Sequence, residues 1–194
     1  MASGLCLVSV SGLAGPSSNE ASDVYSRMPL RFEAMDANKW VAHGPGFGVG
    51  FRQDGTFIQF GERGLKLSLE GRQAQNKQGG HFEGLDKSPV QTNYFGRDFR
   101  AADAFGRLRQ KGVYPGIDIV YYGKGQTLEY DFELAPGADP SRIRMRFEGA
   151  DNIRLGSQGQ VILQLGDRRI TQNPPVVYQK NSNKEVVGVP SSYV

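Results

Sequence analysis

Glycine-rich turn signals interrupt the chain about every 8 to 12 residues from Met28 onward, and this spacing constrains the fold more than any other feature. They are Gly44-Pro45-Gly46, Asp54-Gly55, Gly61-Glu62-Arg63-Gly64, Gly79-Gly80, Gly123-Lys124-Gly125 and Gly156-Ser157-Gln158-Gly159. Between them, apolar and polar residues alternate in short runs, as in residues 65–70. Because a period of two is typical of half-buried strands, the pattern predicts an all-β fold, a twisted antiparallel β-sandwich.

The chain of 194 residues has the length of one domain, which can bury a core without metal or disulfide staples. Residues 1–27 lack a sustained period and are predicted to be a disordered leader, of which residues 1–18 are either a clipped signal peptide or a plain leader. Residues 28–194 are predicted to form the β-sandwich domain. Its end, 188–194, stops as another strand begins, which is typical of a domain truncated at its C-terminus. The best candidate for a short helix is 97–104.

Composition argues against several classes of function. The net charge is +3 at pH 7 and arginines alternate with acids, which favours a mixed surface over a nucleic-acid interface. The single cysteine, Cys6, excludes an intrachain disulfide and a cysteine-based zinc site. His43 and His81 are far apart in sequence and no Gly-x-Ser-x-Gly motif occurs, so no catalytic triad can be assigned. The sequence predicts a protein that is not an enzyme, holds no cofactor and does not span a membrane.

Four alternating glycines, Gly44, Gly46, Gly48 and Gly50, have a spacing that resembles a phosphate-binding loop. Such loops also need a following helix and a Lys-Ser/Thr pair, which are missing here. We predict instead a strand whose bare positions let another backbone approach closely.

A hairpin is predicted across the turn at residues 123–126. The pairs that this turn suggests are Tyr122–Thr127, Val120–Glu129 and Asp118–Asp131. One face then carries the predicted core residues Ile117, Ile119, Tyr121, Leu128, Tyr130, Phe132 and Leu134. The outer face carries Asp118, Val120, Tyr122, Thr127, Glu129, Asp131 and Glu133. Since a slip of one residue would bury the acids, the register is strongly specified.

A third strand is predicted at residues 142–147, where arginines alternate with apolar residues. Placed beside the second strand of the hairpin, it would pair Arg144 with Glu133 and Arg146 with Asp131. The result would be a charged ladder across three strands, exposed to solvent.

Two interpretations of Asp118, Glu129 and Asp131 compete. In one, these carboxylates bind calcium or perform acid–base chemistry on a sugar. In the other, the arginines neutralise them and the ladder is a solvated sheet face, with no metal site. We favour the second, because nearby arginines compete with a metal and lower carboxylate pKa values, whereas a general acid needs a raised pKa.

Four aromatic residues are candidates for ligand binding: Trp40, Tyr94, Tyr114 and Tyr122. Flat rings with a polar tip suit glycans and protein partners alike. The alternative is that most of these rings pack in the core or at strand edges. The predicted register places Tyr122 on the outer face.

Several segments resemble a known family. They are Met28-Pro29-Leu30-Arg31-Phe32-Glu33, Thr92-Asn93-Tyr94-Phe95-Gly96, Val113-Tyr114-Pro115-Gly116-Ile117-Asp118-Ile119-Val120-Tyr121-Tyr122-Gly123, Leu128-Glu129-Tyr130-Asp131-Phe132, Ala135-Pro136-Gly137-Ala138-Asp139-Pro140, Arg146-Phe147-Glu148-Gly149-Ala150 and Pro174-Pro175-Val176-Val177-Tyr178-Gln179. This combination resembles the domain of unknown function that precedes SBBP-type β-propeller repeats in large bacterial surface or secreted proteins. Residues 34–38 depart from the family's usual Asn-x-Gly-Gln-like turn, and the propeller repeats are absent.

The resemblance implies an all-β module, secreted or at the bacterial cell surface, with no catalytic residues to carry over. We therefore predict a non-catalytic interaction module whose partner is an adjacent β-propeller or another surface protein. One alternative is a glycan-binding module that uses exposed aromatic rings. Another is a hydrolase that uses Asp118, Glu129 or Asp131.

Overall fold

A computed structural model describes residues 30–71, 80–89, 91–94, 100–125, 127–180 and 185–194. The strands are β1 (Phe32–Asp36), β2 (Lys39–Gly44), β3 (Phe47–Arg52), β4 (Gly55–Phe60), β5 (Arg63–Leu69), β6 (Phe82–Lys87), β7 (Thr92–Tyr94), β8 (Arg100–Ala102), β9 (Ala104–Tyr114), β10 (Ile117–Lys124), β11 (Thr127–Leu134), β12 (Met145–Glu148), β13 (Asn152–Leu155), β14 (Val161–Leu165), β15 (Arg168–Gln172), β16 (Val177–Lys180) and β17 (Val186–Val189). In the described part of the chain, the helical structure is a 3-10 turn at Pro140–Arg142. The predicted all-β class is confirmed.

Most strands belong to one ten-stranded antiparallel sheet with the order β11-β10-β9-β1-β2-β3-β4-β5-β12, and β6 pairs with β9 outside this path. The sheet curls into a half-barrel, because side chains from distant strands meet on its concave face. Phe51 of β3 lies 4.8 Å from Tyr121 of β10 between ring centroids. The hydroxyl of Thr56 on β4 donates to the Tyr121 hydroxyl at 3.0 Å.

The core fills this concave face, and alternation along the strands decides which residues enter it. In β3, Phe47, Val49 and Phe51 are buried, whereas Gly48 and Gly50 between them point outward. The predicted core face of the β10–β11 hairpin is confirmed, since every member of it is at most 6% exposed.

A three-stranded sheet, β13-β14-β15, packs against the open side of the half-barrel. Its buried residues Leu163, Leu165 and Ile170 join the same hydrophobic core. Two further pairs, β7-β8 and β16-β17, form separate two-stranded sheets.

The structure differs from two predictions about the fold, and a third lies outside the described residues. The two-sheet sandwich is not confirmed, because the main sheet is one curled path with a smaller sheet against it. The predicted helix at 97–104 is wrong where the structure describes it, since Arg100–Ala102 is strand β8. The predicted leader, residues 1–27, lies outside the described residues.

The prediction for the alternating glycines is half right. Gly48 and Gly50 lie in strand β3. No backbone atom of a described residue would come within 4 Å of a methyl group at Gly46 or Gly50, and at Gly44 the crowding comes from the ring of Phe47. Gly46 serves a turn instead, with φ of +75°.

Close backbone approach occurs at Gly123, where a methyl group would lie 2.7 Å from Leu30 Cβ and 2.9 Å from Leu30 N. We expect Gly123→Ala to destabilise the fold by about 1–3 kcal/mol, because β10 or the chain at Leu30 must shift. Gly50→Ala is the matched control, for which we expect a change between neutral and about 1 kcal/mol of stabilisation. Urea unfolding followed by the fluorescence of the single tryptophan, Trp40, measures both; equal midpoints for the two variants would contradict the expectation.

Candidate functional site

The outer face of the β10–β11 hairpin is the first candidate. The hairpin pairs Tyr122 with Glu129, Val120 with Asp131 and Asp118 with Glu133. The predicted register is therefore wrong by two residues, because the turn is tighter and Lys124 pairs with Thr127. A shift of two preserves the faces, which is why the core face was right.

The predicted neighbour of the hairpin is also wrong. β12 pairs with β5, not with β11, so Arg144 and Arg146 lie away from Glu133 and Asp131. β9 pairs with β10 instead and places Arg109 opposite Val120. The sequence could not show this, since both arginine-rich strands have the same alternation.

Arg109 is the centre of the charged cluster on this face. Its Nη2 donates to Glu133 at 2.8 Å, and its guanidinium lies 3.9 Å from both Asp118 and Glu83. Lys111 pairs with Glu83 at 2.9 Å. These are partly exposed pairs, each worth about 0.2–1 kcal/mol, so they specify the sheet more than they stabilise it.

The face is less solvated than predicted. Val120 is 3% exposed and Glu129 is 2% exposed. Asp131 is half-buried and accepts a hydrogen bond from the Tyr122 hydroxyl at 3.0 Å. Burial raises the pKa of Asp131 to about 6, against the opposing effect of the Tyr122 hydrogen bond. The predicted lowering of this pKa by arginine is therefore wrong, because Arg146 lies elsewhere.

The carboxylates Asp118, Glu129 and Asp131 do not form a metal centre in the described structure. Among the described residues, no group of three or more histidine, cysteine, aspartate or glutamate side chains could hold a metal ion. These carboxylates also line neither of the two cavities described below.

Two of the four candidate aromatic residues are buried. Trp40 is 6% exposed and lies 5.3 Å from Phe105 between ring centroids. Tyr114 is 4% exposed, and its hydroxyl donates to the carbonyl of Glu70 at 2.7 Å. The prediction that these two rings offer a free stacking face is wrong, and the packing alternative is the one observed.

The other two are partly buried and hydrogen-bonded. Tyr94 donates to a carboxylate oxygen of the buried Glu33, which also accepts from Thr92 Oγ1 at 2.6 Å. Glu33 thus fixes strand β7 over β1. Tyr122 donates to Asp131 from the outer face of β10. The four aromatic residues therefore have separate structural partners.

A groove that the sequence analysis did not identify lies between the half-barrel and the small sheet. Its volume is about 990 Å³. It is lined by residues of the 3-10 turn, of β12 to β15 and of the last described segment: Pro140, Ser141, Ile143, Arg144, Met145, Phe147, Ile153, Arg154, Leu155, Val161, Gln172, Ser192, Tyr193 and Val194. Alternation at residues 142–147 predicted a strand there, but only the packing of the two sheets forms a groove beside it.

The groove is apolar and cationic. Ile153 is 46% exposed and Leu155 is 55% exposed, which is unusual for neighbouring large aliphatic residues on one strand. The charged side chains that line it, Arg144 and Arg154, are both exposed. In the described structure, neither guanidinium has an ion-pair partner.

A polar chain closes the inner end of the groove. Gln172 Nε2 donates to the Tyr193 hydroxyl at 2.7 Å, and Gln172 Oε1 accepts from the Tyr130 hydroxyl at 2.9 Å. Behind this chain lies a cavity of about 40 Å³, which also touches Gln172 and Phe147. It has room for water-sized molecules.

The raised pKa of Asp131 predicts a stability change with pH. A carboxyl whose folded pKa is about 6, above the ordinary value of 3.8, destabilises the fold progressively as pH rises through that interval. Asp131→Asn cannot ionise and still accepts from Tyr122. We expect it to be more stable than the natural chain at about pH 8, by about 1–2 kcal/mol after allowance for partial exposure, with the gain shrinking toward pH 4.5.

Asp86→Asn is the control for this measurement. Its hydrogen bond from Arg107 lowers the pKa of Asp86, so loss of the charge should make the protein slightly less stable at alkaline pH. Urea unfolding at both pH values measures the two variants. A gain for Asp131→Asn that is the same at both pH values would show that desolvation of its charge is not the cause.

Comparison with known proteins gives a family but no activity. No curated protein matches the chain, and no solved structure matches it either. Residues 33–194 match the family described as Domain of unknown function (DUF7948). That match covers the half-barrel, the small sheet and the groove between them, so the chain belongs to the Domain of unknown function (DUF7948) family.

Proposed function

We propose that this domain is a non-catalytic interaction module that binds a protein partner through the groove between β12 and β13. The observation that carries the proposal is the exposure of Ile153 and Leu155 in a groove of about 990 Å³. Exposed apolar surface of this kind is typical of protein-binding sites. The partner is an adjacent β-propeller of the SBBP type or another surface protein, and the setting is a secreted or cell-surface protein of a bacterium.

The cluster around Arg109 supports a scaffold role for the opposite face. Its carboxylates are engaged by Arg109, Lys111 and Tyr122, and they line neither cavity. Hydrolysis would need a carboxyl group at the floor of a cleft, within reach of a bound substrate. The proposed module therefore uses the charged cluster to specify its sheet and the groove for binding.

Titration of the ¹⁵N-labelled chain with an SBBP-type propeller tests the proposal. We expect amide shifts at Met145, Ile153 and Leu155, and a weaker complex for Leu155→Ser. Loss of a large aliphatic contact at the centre of an interface costs about 1–2 kcal/mol, which corresponds to about 5- to 30-fold in Kd.

Val186→Ser is the matched control. Val186 is 62% exposed, on strand β17 and not in the groove lining, so its loss should leave the affinity unchanged. If no amide chemical shift changes at a high micromolar concentration of the propeller, the result would count heavily against the proposal. Binding that Val186→Ser weakens as much as Leu155→Ser would place the interface elsewhere.

A further inference from the structure

The groove has an open strand edge along one side. β12 is the last strand of the ten-stranded path and pairs with β5 in the described structure. The amide of Glu70 on the β5 side donates to the carbonyl of Arg144 at 2.8 Å. Because hydrogen-bonding direction alternates along an antiparallel strand, the backbone groups of Met145 and Phe147 point away from β5. This edge can therefore accept another strand.

The other side of the groove is the inner face of the small sheet, which extends beyond the part that the half-barrel covers. Ile153 of β13 pairs with Leu163 of β14, and Leu163 pairs with Ile170 of β15, so the three share a face. Exposure along this row is 6% at Ile170, 1% at Leu163 and 46% at Ile153. The half-barrel covers β14 and β15 but ends before β13.

The next row shows the same pattern. Leu155 pairs with Val161, and exposure rises from 9% at Val161 to 55% at Leu155. The ten-stranded sheet thus ends one strand before it would cover β13 of the small sheet. A strand added to the free edge of β12 would place its inward side chains over Ile153 and Leu155.

The charges of the groove indicate what kind of strand fits. Arg144 and Arg154 line it, and its lining includes no aspartate or glutamate side chain. Arg146, on the outward face of β12, is already within 3.6 Å of Glu70 and 3.4 Å of Glu148. Arg154 alternates with Ile153 and Leu155, so its side chain lies on the other face of β13. The guanidinium group of Arg144 therefore favours a carboxylate on an incoming segment.

We propose that the free edge of β12 takes an extended segment of the partner protein as one further strand. Its inward side chains are aliphatic and cover Ile153 and Leu155, and its alternate side chains include a carboxylate that faces Arg144. The partner's main-chain groups hydrogen-bond to Met145 and Phe147, which is recognition by strand addition. This inference rests on the proposed function of the groove and names the chemistry of the segment that enters it.

The probes are capped eight-residue peptides added to the full chain. One alternates valine with glutamate, and its control alternates valine with lysine. We expect the glutamate peptide to bind about fivefold more tightly at low ionic strength, since Arg144 pairs with a glutamate side chain but repels a lysine side chain. The difference should shrink at about 0.5 M salt and disappear in Arg144→Gln.

Backbone pairing is tested separately by amide hydrogen exchange. In the complex, the amides of Met145 and Phe147 should exchange more slowly than in the free chain, because strand addition gives them acceptors. Leu155→Ser should weaken the peptide complex, and Val186→Ser should not.

The outcomes separate the two proposals. Equal or reversed preference between the peptides, or unprotected amides at Met145 and Phe147, overturns strand addition by an acidic segment. If the propeller still binds and Leu155→Ser still weakens that complex, the proposed function stands without it. If neither propeller nor peptide binds, both fail. Self-association of the chain that Leu155→Ser abolishes would make a second copy the occupant and would also overturn this inference.

Discussion

Contact between the two arms of the curled sheet is the interaction on which the rest of the structure depends. The Phe51 ring on β3 packs against Tyr121 on β10, and Tyr121 in turn lies 6.0 Å from Tyr130 on β11 between ring centroids. These aromatic residues are large enough to span the concave face and exclude water from it. That contact joins the concave faces of β3 and β10 in one hydrophobic core.

The same curl leaves the barrel open, and this has consequences for function. β11 and β12 end the sheet path on either side, and the small sheet occupies the space between the arms. Tyr130 on β11 donates a buried hydrogen bond to Gln172 on β15, and Gln172 donates to Tyr193, so this chain joins one arm to the small sheet and to the last described segment. Because the small sheet has one strand more than the half-barrel covers, Ile153 and Leu155 remain in solvent. The groove is thus a product of an incomplete barrel rather than of any local motif.

The charged outer face of the main sheet shows that one sequence pattern fits two different strand pairings. In that pattern, arginines alternate with apolar residues. Arginines alternate with apolar residues at 142–147, and two arginines of β9 flank Leu108 in the same way. Either segment could lie beside the acids of the hairpin, and β9 takes that place in the structure. Arg109 then neutralises Glu133, while Asp131 has burial and Tyr122 as its main influences.

The sequence by itself determined the strand class and the inward and outward faces of the strands, because side-chain alternation is a local property of each strand. It identified Ile117, Ile119 and Phe132 as core, and each is fully buried. How the sheet curls decides which strands pair and which apolar residues remain exposed. The curl in turn is set by contacts between residues far apart in the chain. Only the tertiary structure could decide that β12 lies beside β5, and that Ile153 and Leu155 form an open groove while Trp40 and Tyr114 are buried.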